Sequence, residues 1–204
     1  MQDRSYTDLF TLIRSLIGAG SLTTEEQSSI ESFVNRRAHE AYQTSQSWPR
    51  YLVVGEERAI STSPAQTVPY TESGKTTIFE FLRIHRSQPS LNLSAHEFDF
   101  YVDADGAHIL NITTENATGA FVTYKKALPI FTSSSTDIPG EFFFFIAHAA
   151  YADFLRLDGQ TDKALTEEQV AQTYLAMELE RVDLMNNNNN LFKKFSTHGT
   201  RQSR

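Results

Sequence analysis

The stretch from Asp137 to Gly159 limits what this chain can fold into. Its apolar residues recur at helical spacing in two stripes. One is Phe143, Ala147, Ala150, Phe154 and Leu157; the other is Phe142, Phe145, Ala149 and Ala152. A helix apolar over this much of its circumference has to be largely buried. Phe142 to Phe145 supply area, at about 1.5–3 kcal/mol for each large side chain fully buried, and the alanines let neighbouring backbones come close. Asp137 is placed to cap the start, because a carboxylate accepts amide protons that the first turn leaves unpaired. Pro139 suits the first turn, where its missing N–H costs nothing. Gly159 ends the helix by permitting positive φ. A core helix of this kind needs partners, and the flanking sequence supplies them.

A first helix is predicted over Tyr6 to Ile17, with Ser5 and Asp8 as its start signal and Gly18 as its stop. Leu9, Leu12, Ile13, Leu16 and Ile17 share one face. A second runs from Thr24 to Gln46, begun by Thr23 and Glu26 at capping-box spacing. Ile30, Phe33, Val34, Arg37, Ala38, Ala41 and Tyr42 form its inner face. Trp48-Pro49 breaks the pattern, since the residue before a proline is pushed out of the helical region. After the central helix, Asp158-Gly159-Gln160 makes a tight corner into a fourth helix, Asp162 to Met185, with Thr166 and Gln169 as a possible box. Ala171, Tyr174, Leu175, Val182 and Met185 are expected to face inward. The short connection makes the last two helices an antiparallel hairpin. Five asparagines, Asn186 to Asn190, should fray its end, because asparagine is a poor helix former.

Between Arg50 and Thr132 the apolar period changes from helical to alternating. Tyr51 to Val54, Thr76 to Arg83, Phe98 to Val102, Ala107 to Ile112 and Ala120 to Lys125 read as strands. Asp103-Ala104-Asp105-Gly106 is a hairpin signal; Pro64, Pro69, Ser73-Gly74 and Pro89 mark loops. The expected organisation is α+β. A four-helix assembly occupies 1–48 and 133–190, with two N-terminal helices and a C-terminal hairpin. An antiparallel β-sandwich or barrel-like sheet is inserted at 49–132, and a flexible C-terminal tail spans 191–204.

Composition narrows the chemistry. The 204 residues include no cysteine, which excludes disulfides and thiolate metal sites and favours a reducing compartment or a protein that never needed oxidative folding. No apolar run approaches the roughly 20 residues that span a bilayer, so no membrane partner is expected. Met1-Gln2-Asp3-Arg4 lacks a signal-peptide core. The net charge of −7 argues against a protein that coats nucleic acid, and it is uneven: Lys193, Lys194, Arg201 and Arg204 make the end from Asn186 +4, leaving −11 on the rest.

No catalytic or metal motif assembles. Ser73-Gly74-Lys75-Thr76 resembles the end of a phosphate-binding loop, but Pro69 stands where the first glycine belongs and a strand follows. His96-Glu97 and His39-Glu40 begin like zinc-protease motifs without the second histidine one turn on. The calcium-like Asp103 loop has its glycine too early. The sequons at Asn92, Asn111 and Asn116 carry weight only in a secreted chain. No cofactor is expected, and the chain reads as non-enzymatic. Asp153 and His148 are polar groups on the apolar helix. Asp153 needs a partner, for which Arg37 is a candidate, as a structural ion pair or an interface contact. In the tail, Leu191, Phe192 and Phe195 interleave with Lys193 and Lys194, and such apolar groups want a surface to dock on.

Several stretches, in order, carry a resemblance. Trp48-Pro49-Arg50-Tyr51 follows an alanine-bearing helix and precedes Pro69-Tyr70-Thr71-Glu72-Ser73-Gly74. Val122-Thr123-Tyr124-Lys125-Lys126-Ala127-Leu128-Pro129 leads into Asp137-Ile138-Pro139-Gly140-Glu141. The central helix then ends Ala152-Asp153-Phe154-Leu155-Arg156-Leu157-Asp158-Gly159-Gln160, with Lys163-Ala164 beyond. The chain resembles the head–tail adaptor, or neck, proteins of tailed bacteriophages, including relatives of the podovirus tail tubular protein A and head-completion proteins. The likeness is architectural and covers nearly the whole chain. It implies a virion structural protein that assembles in the host cytoplasm into a homo-oligomeric ring, commonly of twelve copies. That ring would sit between the portal protein and a tail tube, nozzle or stopper protein, with transient contact to DNA passing through. An acidic body suits a conduit better than a DNA grip. Leu191, Phe192, Lys193, Lys194 and Phe195 would dock on the portal or a neighbouring subunit. Trp48, Phe143, Ala150, Asp153, Phe154 and Gly159 would hold the core and the corner. A tail terminator or stopper of the same region is the nearest alternative. A β-sandwich module for carbohydrate or host surfaces is a further one, and a hydrolase or transferase would need a pocket with converging carboxylates.

Overall fold

The computed structural model describes residues 3–46, 48–62, 65–89, 97–110 and 119–199, with the side chains of 62, 65 and 186–199 set aside. The chain is α+β and divides into two compact units, a helical one of Met1–Ser45 with Pro129–Arg204 and a β one of Gln46–Leu128. Trp48, expected at the end of the helical domain, falls in the β unit. It is buried, and its carbonyl accepts from the amides of Tyr51 (3.0 Å) and Leu52 (3.1 Å), turning the chain into the first strand.

In the helical unit α1 spans Tyr6–Ile17. Ser5 Oγ accepts from the Asp8 amide at 3.1 Å, and Gly18 closes the helix at φ 75°. α2 spans Thr24–Gln43 and opens with a reciprocal capping box: the Thr23 amide donates to Glu26 Oε2 (2.7 Å) and the Glu26 amide to Thr23 Oγ1 (3.3 Å). It ends three residues before the predicted Gln46. α3, Gly140–Leu157, is the central helix. Phe142, Phe143, Phe145, Ala147, Ala149, Ala150, Ala152 and Phe154 are buried. Phe144 (45% exposed) and Leu157 (66%) are not, so the apolar surface is narrower than four consecutive phenylalanines suggest.

Asp137 does not cap α3, which starts from Pro139 with no side-chain cap. The reason lies next door. Ile138 and Arg4 exchange two backbone hydrogen bonds of 3.0 Å, which hold the preceding segment extended and place Asp137 outside the first turn. At the other end Gly159 takes φ 73°, its amide donates to Arg156 O (3.1 Å), and the Gln160 amide reaches Leu155 O (2.9 Å).

α4 spans Thr161–Gly199. Its start precedes the predicted box, so Thr166 lies inside the helix and its hydroxyl donates to Asp162 O (3.2 Å). Ala164, Ala171, Leu175 and Val182 face the core, whereas Tyr174 and Met185, predicted to face inward, are exposed. The helical backbone continues through Asn186–Asn190, where fraying was expected, and past residue 191, where a tail was expected. A propensity deficit below about 1 kcal/mol per asparagine is a weak force against a helix already nucleated. Residues 200–204 lie outside the described residues.

The β unit holds β1 (Leu52–Ala59), β2 (Ser61–Thr62), β3 (Ala65–Pro69), β4 (Ile78–His85), β5 (Phe100–Val102), β6 (Gly106–Ile109) and β7 (Gly119–Lys126). They form two antiparallel sheets, β1-β7-β4 and β2-β3-β6-β5. Both are open, so the barrel-like closure does not form. Ile78, Phe81, Ile84, Val122 and Tyr124 of the first sheet share one buried cluster with Val68, Ala107 and Ile109 of the second. β3 was not predicted, because prolines at both ends of the segment read as loop punctuation. Pro69 ends the strand, opposite Gly106, where the pairing stops. The Asp103 hairpin forms: Asp103 Oδ1 accepts from the amides of Asp105 (2.9 Å) and Gly106 (3.3 Å), and Val102 pairs with Ala107.

Candidate functional site

Asp153 lies on the core side of α3, so its carboxylate needs partners. α2 offers them because Arg37 lies on that helix's buried face. Arg37 Nε and Nη2 donate to Asp153 Oδ2 and Oδ1, each at 2.8 Å, a bidentate fork. Arg37 Nη2 also reaches Glu168 Oε2 of α4 (2.8 Å), and Nη1 reaches Glu40 Oε2 (2.7 Å). Arg156 bonds Asp153 Oδ1 (2.8 Å) and Glu168 Oε2 (3.1 Å), and Arg36 pairs with Asp153 from the solvent side. Three arginines and three carboxylates therefore lock α2, α3 and α4 together. Burial alone would raise the Asp153 pKa, but the hydrogen bonds and charges of Arg37 and Arg36 outweigh it and hold the carboxyl below its ordinary value. Burial pulls Arg37 down, and its carboxylates more than reverse that. A carboxylate committed on both oxygens to fixed cations is a staple and has no lone pair free for proton transfer. The sequence pointed to Arg37 and Asp153. It missed Glu168, whose one signal is an acidic pair, Glu167-Glu168, set across the corner from Arg156.

Beside this staple, α3 and α4 present an apolar face. Phe144 stacks on Tyr174 (centroids 5.3 Å apart), Tyr174 stacks on His148 (5.4 Å), and His148 Nδ1 lies 2.8 Å from Glu167 Oε2. Met177 and Leu184 continue it along α4, 61% and 56% exposed. The predicted docking residues Leu191, Phe192, Lys193, Lys194 and Phe195 belong to the same helix by backbone, and their side chains lie outside the described residues.

The β unit has its own polar clusters. Arg58, buried on β1, donates through Nη2 to Thr76 O (2.6 Å) and Tyr124 Oη (2.6 Å) and lies over the Tyr124 ring at 4.9 Å. Tyr124 Oη donates to Glu56 Oε2 (2.8 Å). Burial raises the Tyr124 pKa. Thr67 Oγ1, His108 Nδ1 (2.9 Å), His108 Nε2 and Asp103 Oδ2 (2.7 Å) fall in the order of a hydroxyl–imidazole–carboxylate relay. The geometry argues for a staple here too. Thr67 is 2% exposed and stands directly opposite His108 in the β3–β6 ladder, while Asp103 also holds the hairpin turn. A substrate carbonyl has no approach to that hydroxyl.

The remaining sequence motifs are structural where they are described. Lys75 follows a turn at Gly74 (φ 79°) and donates to Glu57 O at 3.0 Å, bridging to β1. Glu40 pairs with Arg37. His96 and the sequons at Asn92, Asn111 and Asn116 lie outside the described residues. Among the described residues no cluster of three or more His, Asp or Glu side chains is placed to hold a metal, and no helix is long and apolar enough to cross a membrane. Comparison with protein-family models and with curated proteins gives no match for this chain.

Proposed function

We propose that this chain is a non-enzymatic structural subunit of the neck of a tailed bacteriophage, a ring component that joins the portal to the tail and lets DNA pass. The observation that carries the reading is the pairing of a salt-locked three-helix scaffold with an apolar face, Phe144, Tyr174, Met177 and Leu184, left open to other proteins. A ring subunit needs rigid walls and heterologous faces that close by rotation. The helices suit the wall, and the β unit with its two antiparallel sheets suits an outer contact surface. Among the described residues the exposed aromatics Phe79 and Tyr101 stand on different sheets and do not form one shared stacking surface.

Mass spectrometry of purified virions, with electron microscopy of the neck, tests this. The protein should be a stoichiometric virion component in one ring layer. Finding it only outside particles would overturn the reading. Deleting residues 191–204 should leave the subunit folded and stop head completion; normal yields of tailed particles from the truncated protein would remove the docking role of Leu191, Phe192, Lys193, Lys194 and Phe195.

A further inference from the structure

α1 is tethered to one helix and docked on another. Its linker to α2 is the six residues Gly18 to Thr23, of which Gly18, Gly20, Ser21 and Thr23 are exposed. A Cβ at Gly18 or Gly20 would meet nothing within 4 Å, so neighbouring atoms leave the linker room to turn. The helix that α1 packs on is α3 rather than α2, its neighbour in the chain. Tyr6, Leu9 and Ile13 make its buried face. Ahead of it a short strap pairs with the segment leading into α3. Arg4 and Ile138 exchange two backbone hydrogen bonds of 3.0 Å, and the Tyr6 amide donates to Ser135 O (2.9 Å). The Arg4 guanidinium lies 5.5 Å from the centre of the Phe143 ring. These docking contacts are made to Ser135, Ile138 and α3, and the linker contributes none of them.

An element docked on a distant part of its chain through a loose tether keeps every docking contact when it docks on the same surface of another copy. No surface is left bare, because each copy gives one arm and receives one. Six extended residues reach about 20 Å, and the 12 residues of α1 are about 18 Å long, so the tether spans a displacement as large as the helix itself. What opposes exchange is the high local concentration of a copy's own arm, about millimolar for a short flexible tether. Copies crowded into one assembly meet that concentration. We infer that residues 4–17 form an exchangeable arm. It docks on its own α3 in the dilute chain and on α3 of a second copy in the concentrated or assembled protein. Transfer in one direction joins each copy to the next, which suits the ring proposed above, but the exchange itself does not rest on that reading.

The chain has no cysteine, so two full-length single-cysteine chains test this, one with Arg4→Cys and the other with Ile138→Cys. Positions paired across an antiparallel bridge are close enough for a disulfide. In an oxidised equal mixture, only an arm docked on another copy brings the two cysteines together. The mixed disulfide, identified by peptide mass, should form at about 1 mM chain and be scarce at about 10 µM. It should vanish when the Arg4→Cys chain also carries Leu9→Glu and Ile13→Glu, which spoil the arm's buried face. No bond at the higher concentration, or a bond that survives the spoiled arm, would overturn the inference. Ile138 is fully buried, so native-state hydrogen exchange of the unaltered chain supplies a reading that needs no variant. The amides from Leu9 to Ile13 should be protected at least about tenfold less than those of α3, because the arm opens alone. Equal protection would overturn the exchange. A mixed disulfide from a protein absent from virions keeps the exchange and removes the ring reading; rings that form without it do the reverse.

Discussion

Among the described residues the two units bury one arginine each and satisfy it differently. Arg37, between helices, has all three guanidinium nitrogens engaged with carboxylates from three helices. Arg58, in the sheet, is the more deeply buried, yet only Nη2 is bonded; Nε and Nη1 have no partner. Its compensation is one carboxylate, Glu56, and the face of the Tyr124 ring. Helices meeting at a seam can each send a long side chain to a common point, and the seam opens to water at Arg36. A strand sends alternate side chains straight into the layer beneath, where neighbours are mostly apolar. The helical unit is therefore pinned by charge at one locus, and the β unit by close backbone approach.

Gly106→Ala tests that contrast most severely. A Cβ at Gly106 would lie 2.1 Å from Val68 O, with φ at 146°. The β unit should lose more than about 4 kcal/mol, an effect reserved for gross steric conflict, while the helical circular dichroism signal persists. Loss of both signals together would mean that the units do not differ in this way.

Arg37→Met should cost about 3 kcal/mol in a denaturant titration, because it removes the bidentate fork that ties buried Asp153 to α2 and leaves that carboxylate to Arg36 and Arg156 alone. Arg58→Met should change stability by less than about 1 kcal/mol, since Glu56 can reach water and two unpaired donors are removed. Equal costs would erase the distinction between the two arginines. Phe143→Ala, also in the helical unit, should cost about 3–5 kcal/mol through the cavity it leaves.

Gly159→Val should lose about 1–2 kcal/mol, the cost of a β-branched residue in the left-handed region, although a Cβ there meets nothing within 4 Å. An unchanged midpoint would show that the corner can turn another way.

The pH dependences are smaller and of opposite sign. Asp153 has its folded pKa depressed, so its contribution is present above the ordinary value of 3.8 and is lost as pH falls through the folded value. Asp153→Asn should flatten the acid limb. Burial and the Glu31 charge push Tyr6 up to about 12 from 10.0, so its contribution is full below pH 10 and fades toward 12. Tyr6→Phe should flatten the alkaline limb alone.

The sequence by itself determined the local features. Tyr6–Ile17, the Thr23–Glu26 box and the Asp103 hairpin each depend on a few neighbouring residues whose side chains bond their own backbone, and the Gly159 corner on one glycine at positive φ. It also marked α3 as the core helix, because period and composition are local properties. Tertiary structure decided the rest. Asp137 lost its cap because Arg4, far away in sequence, holds Ile138 extended. Thr67 became a strand residue because His108 stands opposite it. Glu168 joined Arg37 because the α3–α4 corner brings them together. Such contacts join residues between 41 and 134 positions apart, as Thr67 with His108 and Arg4 with Ile138 show, and no periodicity records a distance of that kind.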